Sequence, residues 1–148
     1  MINLGFSGSA QLEKEMAQAL AGLDSAMYII DPFHNMNPEK IAARLEIFLE
    51  TLCSAKPGVP VLVVSAPADL KSWLYPDLEK SEKRKSVLMA SITHKLQKKF
   101  PDLYYMNGSK FYGSDEVSMD GVHPNDMAMA HMANVLERKI RSVMNVKK

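Results

Sequence analysis

A single domain built on a parallel β-sheet flanked by helices is the fold this sequence predicts, and three observations carry it. Short apolar runs alternate with longer amphipathic stretches along the chain, the rhythm of strand–helix–strand units in α/β proteins. The run Val61-Leu62-Val63-Val64-Ser65 is apolar almost throughout rather than alternating, as expected for a central parallel strand covered on both faces. The 148 residues, with no internal repeat or low-complexity tract, suit one domain spanning 1–148, which buries roughly two thirds of its unfolded surface.

The elements follow in order. Residues 2–6 read as a short strand running into Ser7-Gly8-Ser9, a turn with a good helix N-cap. Leu12, Met16, Ala19, Leu20 and Leu23 then recur at helical spacing. Residues 26–31 make a second strand, ending in the loop Asp31-Pro32-Phe33-His34-Asn35-Met36. Asn37-Pro38 starts a helix, with Asn as cap and Pro at the first helical position. Its inner stripe is Ile41, Leu45, Phe48, Leu49 and Leu52, and Lys56-Pro57-Gly58-Val59-Pro60 stops it.

Strand 61–65 leads into a loop, 66–76, that carries Trp73 and Tyr75. A long helix follows to about residue 99, with Leu88, Ile92 and Leu96 inward. Its Lys80, Lys83, Arg84, Lys85, Lys95, Lys98 and Lys99 read as a solvated face. Residues 103–106 are the last strand, and 107–122 an irregular polar loop. From Pro124 a final helix turns Ala128, His131, Met132, Val135, Leu136, Ile140 and Val143 inward. Met127, Met129 and Met132 are expected to fill the core, and His94 and His131 to be structural.

Composition narrows the function. A net charge of +1 gives no electrostatic case for nucleic acid or an anionic membrane as partner. No apolar segment approaches the roughly 20 residues needed to span a bilayer. Cys53 is the single cysteine, so no internal disulfide is possible, and in its apolar run it reads as a buried thiol rather than a nucleophile. No Cys, His or Asp cluster has metal-ligand spacing, so neither metal nor cofactor is expected.

The chemistry-bearing stretch is Asp120-Gly121-Val122-His123-Pro124-Asn125-Asp126. An Asp three residues before a His, across a Gly turn, sets a carboxylate beside an imidazole, the orienting half of a hydrolase triad. Ligands of open parallel sheets bind beyond the C-terminal strand ends, which adds the Ser7-Gly8-Ser9 turn and the Asp31–Asn35 loop. A Gly after a strand offers a free backbone N–H to an anion, and Asn35 could add a side-chain donor to an oxyanion hole. Singly, each also has a plain reading. Gly8 is then a turn, Asn35 a loop cap, His34 a surface loop residue and His123 a helix N-cap.

Taken in order, Asn3-Leu4-Gly5-Phe6-Ser7-Gly8, Asp31-Pro32-Phe33-His34-Asn35 and Asp120-Gly121-Val122-His123-Pro124 resemble the second, third and fifth blocks of the SGNH (GDSL-like) hydrolases. The resemblance implies a flavodoxin-like three-layer α/β/α sandwich and a serine esterase acting on a small acyl ester such as an acetylated carbohydrate. It implies that His123 is the general base and acid, that Asp120 orients it, and that Gly8 and Asn35 donate to the oxyanion. The bacterial branch it looks like commonly contains secreted enzymes, which admits a periplasmic or secreted full-length protein without fixing the compartment. The third block departs from the family's Gly-x-Asn-Asp, with Phe33 and Met36 at the outer positions.

The family's first block, which supplies the serine and the first strand, has no counterpart. Ser7 and Ser9 flank the oxyanion Gly, and Ser65 ends another strand. The chain is therefore expected to be an N-terminally truncated SGNH domain lacking its central first strand and its nucleophile, and inert or nearly so by itself. In the strand order 2-1-3-4-5 that loss leaves unpaired ladder groups. They would be covered by residues 2–6 moving into the gap, or by a strand from a second copy in a strand-exchanged homodimer. The rival readings are a binding module or pseudoenzyme that keeps the cleft without the chemistry, and an interaction protein that recruits partners by strand addition.

Overall fold

The computed structural model describes residues 2–67, 70–109, 111–112 and 118–145. Helix α1 is Lys14–Ala21, strand β1 Tyr28–Ile30, helix α2 Pro38–Ala55, strand β2 Val61–Val64, helix α3 Pro76–Gln97, strand β3 Leu103–Met106 and helix α4 Asp126–Val143. Three short 3-10 turns, Phe6–Gly8, Phe33–Asn35 and Ser72–Leu74, lie in the connections. Parts of the expected loops 66–76 and 107–122, namely 68–69, 110 and 113–117, lie outside the described residues.

The sheet is parallel, in the order β1-β2-β3. Tyr28 stands opposite Val61, and Val61 opposite Leu103, so all three strands start level and end at the same edge. Asp31, Ser65 and Asn107 emerge together there. β2 is buried along its whole length. Val61 and Val63 face a core shared with Ile30, Ile41, Leu45, Leu49, Leu52 and Met89. Leu62 and Val64 face the other side, with Phe111, Tyr112 and Ala128 and the flank of α4. The result is the expected α/β/α sandwich, with α1, α2 and α3 on one side and α4 on the other.

The N-terminal segment departs from its expectation. Residues 2–6 form no strand and stay exposed. Asn3 Oδ1 accepts the Gly5 N–H at 2.9 Å, and Phe6, Ser7 and Gly8 have φ of 50°, 45° and 91°. The physical reason is the ladder: extended backbone needs a partner for its N–H and C=O groups. No described strand pairs with this one, so a local Asn turn wins. Of the order 2-1-3-4-5 the described residues show the 3-4-5 half, with β1 as an edge strand, and residues 2–6 do not close the gap.

Ser9 does not cap α1 either. The helix begins at Lys14, after Leu12 (φ 56°) has turned its side chain into the core. The Arg44 guanidinium donates to Gln11 O at 2.9 Å and to Glu13 Oε1 at 3.2 Å, and Lys40 Nζ to Gln11 Oε1 at 2.8 Å. These bonds from α2 fix the entry to α1. By contrast Asn37 caps α2 as expected, accepting the Lys40 N–H at 2.8 Å with Pro38 at the first helical position.

Two helix faces also differ from expectation. Lys80, Lys83, Arg84 and Lys95 of α3, and Lys99 just past its end, are solvated, but Lys85 is buried beside an equally buried Glu82, Nζ to Oε1 2.7 Å. Residues 82, 85, 89, 93 and 96 make one buried stripe, so this ion pair lies within the core-facing surface. In α4 only Ala128 and Val143 are fully buried, and Met132, Val135, Leu136 and Ile140 are half-buried. His131, Met127 and Met129 are exposed; among the described residues α4 is the one helix on that side of the sheet, so its flanks meet solvent.

The buried pair is asymmetric. Lys85 Nζ also donates to Phe33 O at 3.0 Å and sits 4.3 Å over the Phe33 ring, while Glu82 Oε2 has no partner among the described residues. Removing the cation would strand a buried carboxylate. Lys85→Met is therefore expected to destabilise the fold by about 3–5 kcal/mol, measured by urea denaturation. The double variant Glu82→Leu/Lys85→Met is expected to recover most of that loss, because it leaves no uncompensated charge.

Candidate active site

The Asp120–His123 turn is assembled locally. Asp120 Oδ2 lies 2.6 Å from His123 Nδ1. Oδ1 accepts the backbone N–H groups of His123 at 2.8 Å and Val122 at 2.9 Å, and the Ser118 hydroxyl at 3.1 Å. Gly121 takes φ 79°, a conformation any side chain would strain, and this folds the chain back so that both carboxylate oxygens face the turn. The imidazole, the two N–H groups and the hydroxyl, in that order of strength, hold the Asp120 carboxyl far below the usual carboxylate range.

His123 is not a helix cap. Asn125 does that work, its side chain accepting the Ala128 N–H at 3.0 Å. His123 stands clear of the helix with its side chain 83% exposed. With Nδ1 engaged by Asp120, Nε2 is the nitrogen left to exchange a proton with a substrate or nucleophile. Sequence reasoning missed Ser118 as a third support of the carboxylate, although the Ser-x-Asp spacing that permits the bond is local.

Asn35 ends the Phe33–Asn35 turn at the C-terminal end of β1, its backbone N–H bonded to Pro32 O at 3.0 Å. It is half-buried, and its side-chain amide has no hydrogen-bond partner among the described residues, which leaves two donors for a ligand. The turn is fastened from beneath: Phe33 is buried, and its carbonyl is held by Lys85. The Glu82 to Lys85 spacing on the apolar stripe of α3 was the sequence signal for this support. His34, by contrast, is exposed, with its ring edge-on to Phe33 at 5.3 Å.

Gly8 lies in an exposed turn and not at a helix N-terminus, since α1 starts six residues later. No hydrogen bond joins Gly8, Asn35 and the Asp120–His123 pair to one another among the described residues.

The serines flanking Gly8 are equally exposed. Ser65 is wholly buried and committed: its hydroxyl lies 3.2 Å from both the Gly108 N–H and the Tyr105 hydroxyl. Gly108 packs so closely that a Cβ there would fall 1.8 Å from Ser65 O. Among the described residues no serine hydroxyl is bonded to the His123 ring. Burial and the nearby Asp102 push the Cys53 thiol up to about 11, so it carries no thiolate at neutral pH. Among the described residues there is no cluster of three or more potential metal ligands, and no helix is long and apolar enough to cross a membrane.

With this geometry in place, comparison with known proteins is informative. The profile of the GDSL-like lipase/acylhydrolase family matches residues 1–141. A crystal structure from Bacteroides ovatus, described as that of a candidate GDSL-like lipase, superposes with a TM-score of 0.91 at 30% identity. That match covers 99% of this chain and 44% of the other, so the chain spans less than half the length of that relative. The salicylyl-acyltransferase SsfX3 of a tetracycline biosynthetic pathway shares the fold, with a TM-score of 0.75 and 15% identity over 90% of this chain and 42% of that one. Comparison with curated proteins gives no match. A family match across nearly the whole chain, on a parallel α/β/α sandwich that presents an Asp–His pair, means that the chain belongs to the GDSL-like lipase/acylhydrolase family.

Proposed function

We propose that this chain carries the acid–base and oxyanion residues of a serine ester hydrolase acting on a small acyl ester, such as an acetylated carbohydrate. The observation that carries the reading is the 2.6 Å Asp120–His123 contact with Nε2 left open. In the proposed cycle a seryl hydroxyl attacks the ester carbonyl carbon and passes its proton to His123 Nε2. Asp120 holds the ring in the required tautomer and stabilises the imidazolium. The Gly8 N–H and the Asn35 amide donate to the oxygen as it gains charge. Collapse expels the alcohol, which takes the proton back from Nε2. Water then repeats both steps on the acyl-serine and releases the acid.

The serine in this reading is supplied by a segment outside these 148 residues. Its support is positional: a strand pairing on the free edge of β1 would end beside Asn35. Without that serine, turnover falls by on the order of 10⁶, so the chain alone is expected to leave p-nitrophenyl acetate essentially untouched. In a protein extended to include the serine, His123→Ala is expected to lower kcat/KM by on the order of 10⁴–10⁶, and Asp120→Asn by about 10⁴. Unchanged hydrolysis in either variant would remove its residue from the mechanism.

A depressed folded-state pKa means that the stability the Asp120 carboxylate contributes is fully present above the unfolded value, about 3.9. It is lost only as pH falls through the lower folded value. The Asp120 carboxyl carbon is therefore expected to show no titration by NMR between about pH 5 and 3, where ordinary aspartates titrate. His123→Ala should bring its midpoint back toward that range.

A second reading rests on the same free edge of β1: two copies could pair there by strand exchange. It predicts a dimer mass by light scattering that a proline at Ile29 removes, whereas a constant monomer mass would discard it.

A further inference from the structure

The local bonds that close the Asp120–His123 turn give it shape without fixing its place on the sheet. They use the N–H groups of Val122 and His123, both donated to Asp120 Oδ1, and none of the backbone carbonyls. Three carbonyls in a row accept instead from other parts of the chain. Asp120 O accepts from Lys71 Nζ at 3.4 Å, Gly121 O from the Leu70 N–H at 3.0 Å, and Val122 O from the Tyr112 hydroxyl at 3.0 Å. These bonds tie the turn to the rest of the fold.

The three are unequal. The Lys71 bond is long and exposed, and an ammonium on a flexible stem gives little directional hold. The Leu70 bond lies two residues ahead of His123. The Tyr112 bond falls on the peptide unit that enters His123, whose N–H is held by Asp120 and whose carbonyl is held by the phenol. A peptide unit is planar, so bonds at both poles fix its plane and the start of the His123 side chain. The donor is also firmly rooted. Tyr112 is buried with Leu62 and Val64 of β2, with Phe111, and with Ala128 of α4, and close packing leaves such a ring little room to follow a moving turn. Ala128 is the residue whose N–H Asn125 caps. One cluster thus anchors the chain on both sides of His123.

We infer that Tyr112 is a positioning residue for His123: its hydroxyl fixes the peptide that carries the imidazole, and with it the place where Nε2 meets a nucleophile. The inference rests on the hydrolase reading above and adds to it a residue that acts only through the His123 turn. Tyr112→Phe keeps the buried ring and removes the one bond in question. By 15N relaxation of the 148-residue chain, the amides of Val122 and His123 are expected to fall from order parameters of about 0.85 toward 0.6, while those of Val61–Val64 stay rigid. In the protein extended to include the serine, the same variant is expected to lower kcat about ten- to a hundredfold with KM unchanged. A reacting group displaced by about 1 Å loses on the order of 10² in rate. Leu136→Ala removes packing from the same cluster without touching the hydroxyl, and should lower Tm while leaving kcat at the parent value.

Unchanged order parameters at Val122 and His123 in Tyr112→Phe overturn the positioning role, as does an unchanged kcat. It is equally overturned if Leu136→Ala loses as much kcat as Tyr112→Phe, since the effect would then be one of stability. Hydrolysis that survives His123→Ala overturns the hydrolase reading together with this inference. A parent kcat in Tyr112→Phe beside an inactive His123→Ala overturns the inference alone.

Discussion

The constraint on which everything else depends is the burial of β2 on both faces. Val61, Leu62, Val63 and Val64 are each within 2% of complete burial, which requires a layer of helices on either side and a hydrogen-bonded strand along either edge. Parallel pairing supplies the edges, and it also forces all three strands to end together. The loops after β1, β2 and β3 therefore share one rim of the molecule. That rim holds Asn35, and the loop after β2 reaches the turn that carries His123. The position of the candidate site is a consequence of satisfying the backbone of one four-residue strand.

Different kinds of interaction hold the pieces of the site. The Asp120–His123 pair is closed by bonds spanning two or three residues, so its geometry belongs to the turn itself and would survive considerable change elsewhere. Asn35 has no such independence. Its turn is held from outside by Lys85 of α3, which meets the Phe33 carbonyl and ring while compensating the charge of Glu82. A buried ion pair is a costly way to fasten a loop, since desolvation offsets much of the attraction. Its place directly beneath a potential oxyanion donor is consistent with a need for fixed geometry there.

The parts of the fold that were legible in the sequence are those with local causes. The Asn37 cap with Pro38, the all-apolar run of β2 and the i, i+3 relation of Asp120 and His123 each specify structure within a few residues. Residues 2–6 were misread because a strand is defined by its partner, and the apolar pattern of the segment says nothing about whether one is present. Lys85 was misread for a related reason. Its charge suggested the solvated face of α3, but its position, in register with Met89 and Leu96, put it on the core stripe, where only the proximity of Glu82 and Phe33 made burial tolerable. Met127 and Met129 were expected inside and lie outside, because among the described residues one helix covers that face of the sheet.

The sequence by itself determined the fold class, the order of the elements from α1 onward and the local pairing of Asp120 with His123, because hydrophobic periodicity, capping and short-range spacing are written into neighbouring residues. Only the tertiary structure decided that Ser65 is a core hydroxyl engaged with Gly108 and Tyr105, that Gly8 sits in an exposed turn away from any helix start, and that the β2–α3 connection is bonded to the His123 turn through Leu70 and Lys71. The first and last of those facts depend on contacts between residues some 40 to 50 positions apart in the chain, and such contacts arise only once the layers have packed.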